Sequence, residues 1–350
     1  MKERIYSLDF VRVFSCFAIV LMHYVHYSNC QIMKNIEMFG SDSFVYVFLL
    51  LSGYTLFYNH TIVSDIKKFY FSRFKTIYPM FYIAYFVFFY IAVIQAKHFF
   101  CGFKIIFSFL GLDGYLSYKY STYYLIGECF LGAIIICYFL YPFLNKILNS
   151  KKIFFKNLFF LFLFFGSISS FLFYRKFFDI YPSHNIFTVL FCFYIGMVVS
   201  KLNILNYFRK KYFYYLLIFL CFALICEKLL NILGIYNINV PIYKVRDLIL
   251  GVVLFITLYF LGQNIMNNNF LKRIILFISS ITYPVYLVHH KMISYVLSCI
   301  NSSKLSLSFF YFFVTCNFTI IFSYFLKSVV TTSMEDISKL FIKSGNSVEN

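Results

Sequence analysis

Tryptophan is absent from this 350-residue chain, acidic residues number 13, and only 13% of residues are charged. A soluble protein carries roughly 25% charged residues, so this inventory cannot tile a water-facing surface. That excludes a soluble enzyme and a disordered chain. The ten cysteines are scattered, with no CxxC and no histidine at zinc spacing. They exclude a disulfide scaffold and read as small hydrophobes in apolar spans. No internal repeat is seen, and no appended soluble domain is expected. With no tryptophan beside them, the 52 Phe and 33 Tyr reflect a codon bias toward AT-rich sequence, and no chemistry is attached to their number.

What is present is apolar: 62% of residues are hydrophobic and the mean hydropathy is +0.79. A helix crossing about 30 Å of hydrocarbon needs roughly 20 apolar residues. Windows of that length fall at about 7–28, 43–60, 77–95, 122–144, 153–173, 185–200, 212–231, 247–263, 274–298 and 306–326. The expected fold is therefore all-α, a polytopic membrane protein of about ten spans. Its membrane domain takes residues 1–330 and a short cytoplasmic tail takes 331–350. A shorter run at 99–112, interrupted by Gly102 and Lys104, is expected to be interfacial or re-entrant. The first span is not a cleavable signal peptide, since Asp9 and Arg12 interrupt it and no small-residue cleavage site follows.

The net charge of +18 comes from Lys and Arg in short segments between the apolar runs. There they set topology rather than bind nucleic acid. With the N-terminus cytoplasmic, the inner segments hold about twice as many Lys and Arg as the outer ones, which places both termini inside.

Ionisable side chains inside a span are expensive and face a cavity or a partner. The first span reads SLDFVRVFSCFAIVLMHYVHY. Asp9 and Arg12 share a face and can pair. Eleven residues separate Arg12 from His23, which returns the helix to within roughly 20° of that face and about 16 Å along it. Asp9, Arg12 and His23 form one polar stripe. The stripe either anchors the helix, with His23 a buried hydrogen bonder, or it lines a site. In ISSITYPVYLVHHKMISYV, Pro284 should kink the helix and His289 falls at the depth of His23; His290 and Lys291 read as an outer interface contact. Glu128, early in the fourth span, falls in the same stratum. Ser52 and Gly53 at mid-span permit close helix approach. The loop KKFYFSRFKTIYP clusters Lys67, Lys68, Arg73 and Lys75, which suits lipid headgroups or the phosphates of a soluble donor.

In order along the chain stand LDFVR followed by His23, FLLLSGY ending at Tyr54, and SRFKTIYP at 72–79. After them come a span with Tyr123, Tyr124 and Pro142, and SSITYPVYLVH at 279–289. This set resembles the bacterial acyltransferase-3 family, the integral membrane O-acyltransferases of surface polysaccharides. The resemblance implies acetyl-CoA as a cytoplasmic co-substrate and no metal. It implies a glycan or lipid-linked glycan as acceptor, in capsule or exopolysaccharide, and the bacterial cytoplasmic membrane as the location. By position, Arg12 and His23 take the places of the family's essential Arg and His. Arg73 takes that of a residue proposed to hold donor phosphates. A second family Arg is Thr76 here, with Lys75 a substitute. Catalytic candidates are then His23 as general base, with Glu128 and His289 orienting it, binding the sugar or binding the oxyanion. Arg12, Arg73 and Lys75 are donor-binding candidates. A transporter of lipid-linked saccharide is the competing reading, in which the same stratum lines a passage.

Overall fold

In the computed structural model, residues 3–33, 41–96, 102–120, 126, 129–207, scattered positions between 212 and 226, 240–300 and 302–346 are described. Among them the regular elements are helical and no strand forms. Six of these helices are long and apolar enough to cross a membrane: Tyr6–Tyr27, Ile66–Ile94, Phe130–Asn149, Ile153–Leu172, Val245–Ile265 and Leu305–Asp336. The pair Asn269–Ser279 and Thr282–Cys299 makes a seventh if its 67° bend is counted within one span. This is an all-helical, multi-pass membrane architecture.

Ten spans are not reached among the described residues, for three physical reasons. Ile186–Lys201 has 16 residues, about 24 Å of helix, which is short of the hydrocarbon thickness. Ser41–Asn59 is diluted at its ends by Ser41, Asp42, Ser43 and Asn59. The window at 212–231 lies largely outside the described residues.

The first half of the bundle is built on α1 (Tyr6–Tyr27), α2 (Ser41–Asn59), α3 (Ile66–Ala96) and, after two short helices, α6 (Cys129–Asn149). The short ones, α4 (Ile105–Phe109) and α5 (Asp113–Leu116), occupy the 99–112 run and its continuation. The basic stretch expected as a loop is the first part of α3. The Asp65 carboxylate accepts the Lys68 backbone N–H at 2.9 Å, and no Gly or Pro interrupts the chain before Pro79, so the helix starts early and runs on.

Next come α7 (Ile153–Leu172), α8 (Ile186–Lys201), the single turn α9 (Ile204–Tyr207) and α10 (Val240–Ile265). The closest packing joins α2 to α8. A β-carbon on Gly53 would lie 1.9 Å from the Phe193 carbonyl oxygen, and one on Gly196 would lie 2.1 Å from that of Leu50. The two backbones therefore touch directly, as small residues allow in membranes. In contrast α7 turns Phe154, Phe155, Leu158, Phe162 and Phe165 outward, the face a helix presents to lipid.

The chain closes with α11 (Asn269–Ser279), α12 (Thr282–Cys299) and α13 (Leu305–Asn346). The break falls at Ser280 and Ile281, before Pro284 rather than at it. Pro284 sits in the first turn of α12, where its missing N–H costs nothing. The segment from 331, expected as a tail, continues α13 as helix to Asn346.

Helix α1 packs against α2, α10, α11 and α12. Three rungs join it to the α11–α12 pair. Ser279 Oγ donates to Asp9 Oδ1 at 2.6 Å, Cys16 Sγ lies 3.8 Å from the Thr282 carbonyl, and the His23 and His289 ring centroids are 5.2 Å apart. Ascending order on both chains makes α1 and α12 parallel neighbours.

Candidate active site

Two polar centres sit at two heights on α1. At the base, Asp9 is 5% exposed and is held from three sides. Arg4 donates to it through Nε and Nη2, each at 2.8 Å, and Ser279 Oγ adds the third bond. Arg12 Nη1 is 3.8 Å from the same carboxylate, a loose pairing. The expected Asp9–Arg12 partnership is thus mainly Asp9–Arg4, because the bidentate fork of Arg4 has already filled the carboxylate. Arg12 keeps its guanidinium for other work.

Arg12 shares its surroundings with Arg73 on α3. Both lie within electrostatic reach of the Tyr138 hydroxyl on α6, and Ser52 of α2 is within hydrogen-bonding reach of it. The Arg73 guanidinium carbon is 5.9 Å from the ring centres of both Phe69 and Tyr138, and Nη2 donates to Ser72 Oγ at 3.2 Å. Arg73 Nε is buried and has no hydrogen-bond partner. An orphaned buried donor is costly, and a phosphate oxygen satisfies such a guanidinium. The field of Arg73 reaches His60, just past α2, whose pKa is pushed below the ordinary value first by burial and then by Arg73.

Lys75 does not join this centre. Two residues beyond Arg73, it points to the opposite side of α3, and its ammonium sits 4.5 Å from the exposed Phe71 ring. Thr76 is exposed and donates to the Ser72 carbonyl at 2.8 Å. Gly53 serves the α2–α8 contact described above.

The second centre, about 16 Å farther along α1, is built of imidazoles. The His23 ring lies 5.2 Å from that of His289 and 4.1 Å from that of His290, and the latter two are 4.5 Å apart. His289 is 1% exposed, and its Nδ1 lies 2.6 Å from the Tyr286 carbonyl. A carbonyl only accepts, so Nδ1 carries the hydrogen and Nε2 presents a lone pair. That Nε2 is buried without a partner. In this neutral tautomer His289 accepts protons and has none to offer an oxyanion from Nε2. His26 and His184 lie within electrostatic reach of His23. His184 sits in the 3₁₀ turn Pro182–His184, and burial holds its pKa below the ordinary imidazole value while Asp42 opposes that shift. Glu128, the third expected member of the stratum, lies outside the described residues.

A guanidinium centre with an unfilled donor at Arg73, and basic imidazole nitrogens about His23, are linked by α1, which carries Arg12 and His23; together they suit transfer of a group carried by a phosphorylated donor. The family model described as an acyltransferase domain matches residues 5–327. The chain belongs to the acyltransferase-3 family. The match spans both centres of this membrane acyltransferase, from Asp9 to His290. No curated protein and no solved structure matches the chain.

Four residues of these centres escaped sequence reasoning. Arg4 precedes the first span and so belonged to no helix face. Tyr138 is one of 33 tyrosines and carries no distinguishing spacing. His184 lies in a loop. His290 had a signal, its adjacency to His289, but a step of about 100° around the helix pointed it away from the stripe.

Proposed function

We propose that this acyltransferase moves an acetyl group from cytoplasmic acetyl-CoA to a sugar hydroxyl of a cell-surface polysaccharide, at the bacterial cytoplasmic membrane with both termini inside. The observation that carries the donor half is the buried, unpartnered Nε of Arg73 beside Arg12 and Tyr138. Arg12 and Arg73 hold the donor's phosphates. The pantetheine arm then runs along α1 toward the imidazoles, which brings a thioester from the cell interior to an outward-facing acceptor.

At the upper centre His23 takes the proton of the acceptor hydroxyl, since imidazole has the right basicity near neutral pH. The freed oxygen attacks the thioester carbonyl carbon. The tetrahedral intermediate collapses with cleavage of the C–S bond, and the coenzyme A thiolate leaves and takes up a proton from the His23 imidazolium. The ester stays on the sugar. His289, its Nδ1 fixed by the Tyr286 carbonyl, packs its ring 5.2 Å from that of His23 and holds it in place. Glu128 either orients His23 or binds the sugar.

The test is NMR of the surface glycan from wild-type cells and from a strain lacking this chain. An O-acetyl signal that disappears on deletion and is removed by mild base supports the reading. Loss of the surface glycan itself, with acetylated glycan retained inside the cell, would instead mark a saccharide exporter.

A further inference from the structure

The imidazole centre has a property that acid–base chemistry alone does not need. Three histidines converge, and their candidate ligand nitrogens all lie within 4.8 Å of one another. His289 is already prepared as a metal ligand. Its Nδ1–H is tied to a backbone carbonyl and its Nε2 lone pair is buried with no partner, the outer-shell arrangement typical of ligating histidines. His290 is placed against both other rings.

Imidazole sets of this kind suit Zn²⁺, Co²⁺, Ni²⁺ or Cu²⁺. Zinc–nitrogen bonds of about 2.0–2.1 Å put tetrahedral ligand atoms roughly 3.3 Å apart. The three nitrogens must therefore draw in by about 1.5 Å at most. His289 is fixed by the Tyr286 carbonyl, so the inward shift falls to His23 and His290, which are largely but not fully buried. Lys291 and His26 lie within electrostatic reach of His290, and the Lys291 charge opposes a second cation. That makes the site reversible rather than structural.

We propose that His23, His289 and His290 bind one divalent transition-metal ion of the zinc type, and that the bound ion switches acyl transfer off by occupying the lone pair His23 uses as a base. The binding half stands on the cluster alone; the switching half rests on the function proposed above. No cofactor role is implied for the ion.

The full chain, purified in detergent and stripped of metal, is titrated with Co²⁺ alone while its visible ligand-field absorption is read. One Co²⁺ per chain, displaced by Zn²⁺, is expected. His290→Ala and His289→Ala should each weaken binding at least about tenfold, while Cys299→Ser, which removes an exposed thiol, leaves it unchanged. No band from the wild-type chain at tenfold molar excess overturns the site, and so does a band that both histidine variants retain. In a second measurement Zn²⁺ should inhibit acetyl transfer and a chelator should restore it. Activation by Zn²⁺ overturns the switch. A chain that binds Co²⁺ but never transfers acetyl groups condemns the proposed function and leaves the metal site standing.

Discussion

The two centres on α1 solve opposite electrostatic problems with the same helix. At the base, the guanidinium groups are permanently charged: the exposed Arg4 pairs with the buried Asp9, and the buried Nε of Arg73 has no hydrogen-bond partner. At the top, imidazoles can shed their charge, so three of them crowd together with little more than one backbone carbonyl to orient them. On the proposed function, the lower centre would hold an anion with side chains that cannot deprotonate, and the upper centre would pass a proton with side chains that can. This comparison is exposed to direct tests.

The upper centre should fail hardest. His23→Ala is expected to lower acetyl transfer by about 10²–10⁴-fold, the usual weight of a general base, at normal expression. Full glycan acetylation in that variant would remove His23 from the chemistry. The lower centre should fail differently. Arg73→Gln is expected to raise the KM for acetyl-CoA by about 10–100-fold, from a charged hydrogen bond of roughly 1.5–3 kcal/mol, with kcat changed far less. Lys75→Ala, on the other face of α3, should stay within about twofold. Equal losses from the two variants would erase the distinction drawn here between the faces of α3.

Stability offers a control outside both centres. Gly53→Ala drives a methyl group into the Phe193 carbonyl and should cost about 1–3 kcal/mol or more through overpacking. The readout is a lower melting temperature in detergent. An unchanged melt would mean that α2 and α8 separate easily. The smallest effect is at the loop histidine. His184 has a folded pKa below its unfolded value of about 6.5. As pH falls through 6.5 the unfolded chain takes up a proton that the folded chain refuses, so stability declines toward acid. Melting curves at pH 7.5 and 5.5 should show that decline, and His184→Asn should flatten part of it.

Six of the ten expected spans, and a seventh as a bent pair, could be read from the chain because hydrocarbon thickness and helical rise are fixed quantities. The shared level of His23 and His289 followed from the same arithmetic. Other features obey no such ruler. The break at Ser280 and Ile281 carries neither Gly nor Pro. The basic run from Lys67 to Lys75 has a loop's composition yet is helical, since a run of Lys and Arg is a good helix former once Asp65 caps it. Arg4 wins Asp9 through a flexible stretch that no periodicity describes. Tyr138 joins two arginines only because α3 and α6 converge in space, and sequence spacing holds no information about convergence.

The parallel run of α1 beside α12 has one last consequence. Asp9 meets Ser279, the last residue of α11, just before the bend, and His23 meets His289 on α12. A slip of α1 by one residue against the α11–α12 pair, about 1.5 Å, would part the carboxylate from its serine and offset the rings by the same step. The Asp9–Ser279 bond therefore gauges the alignment of the two imidazoles above it.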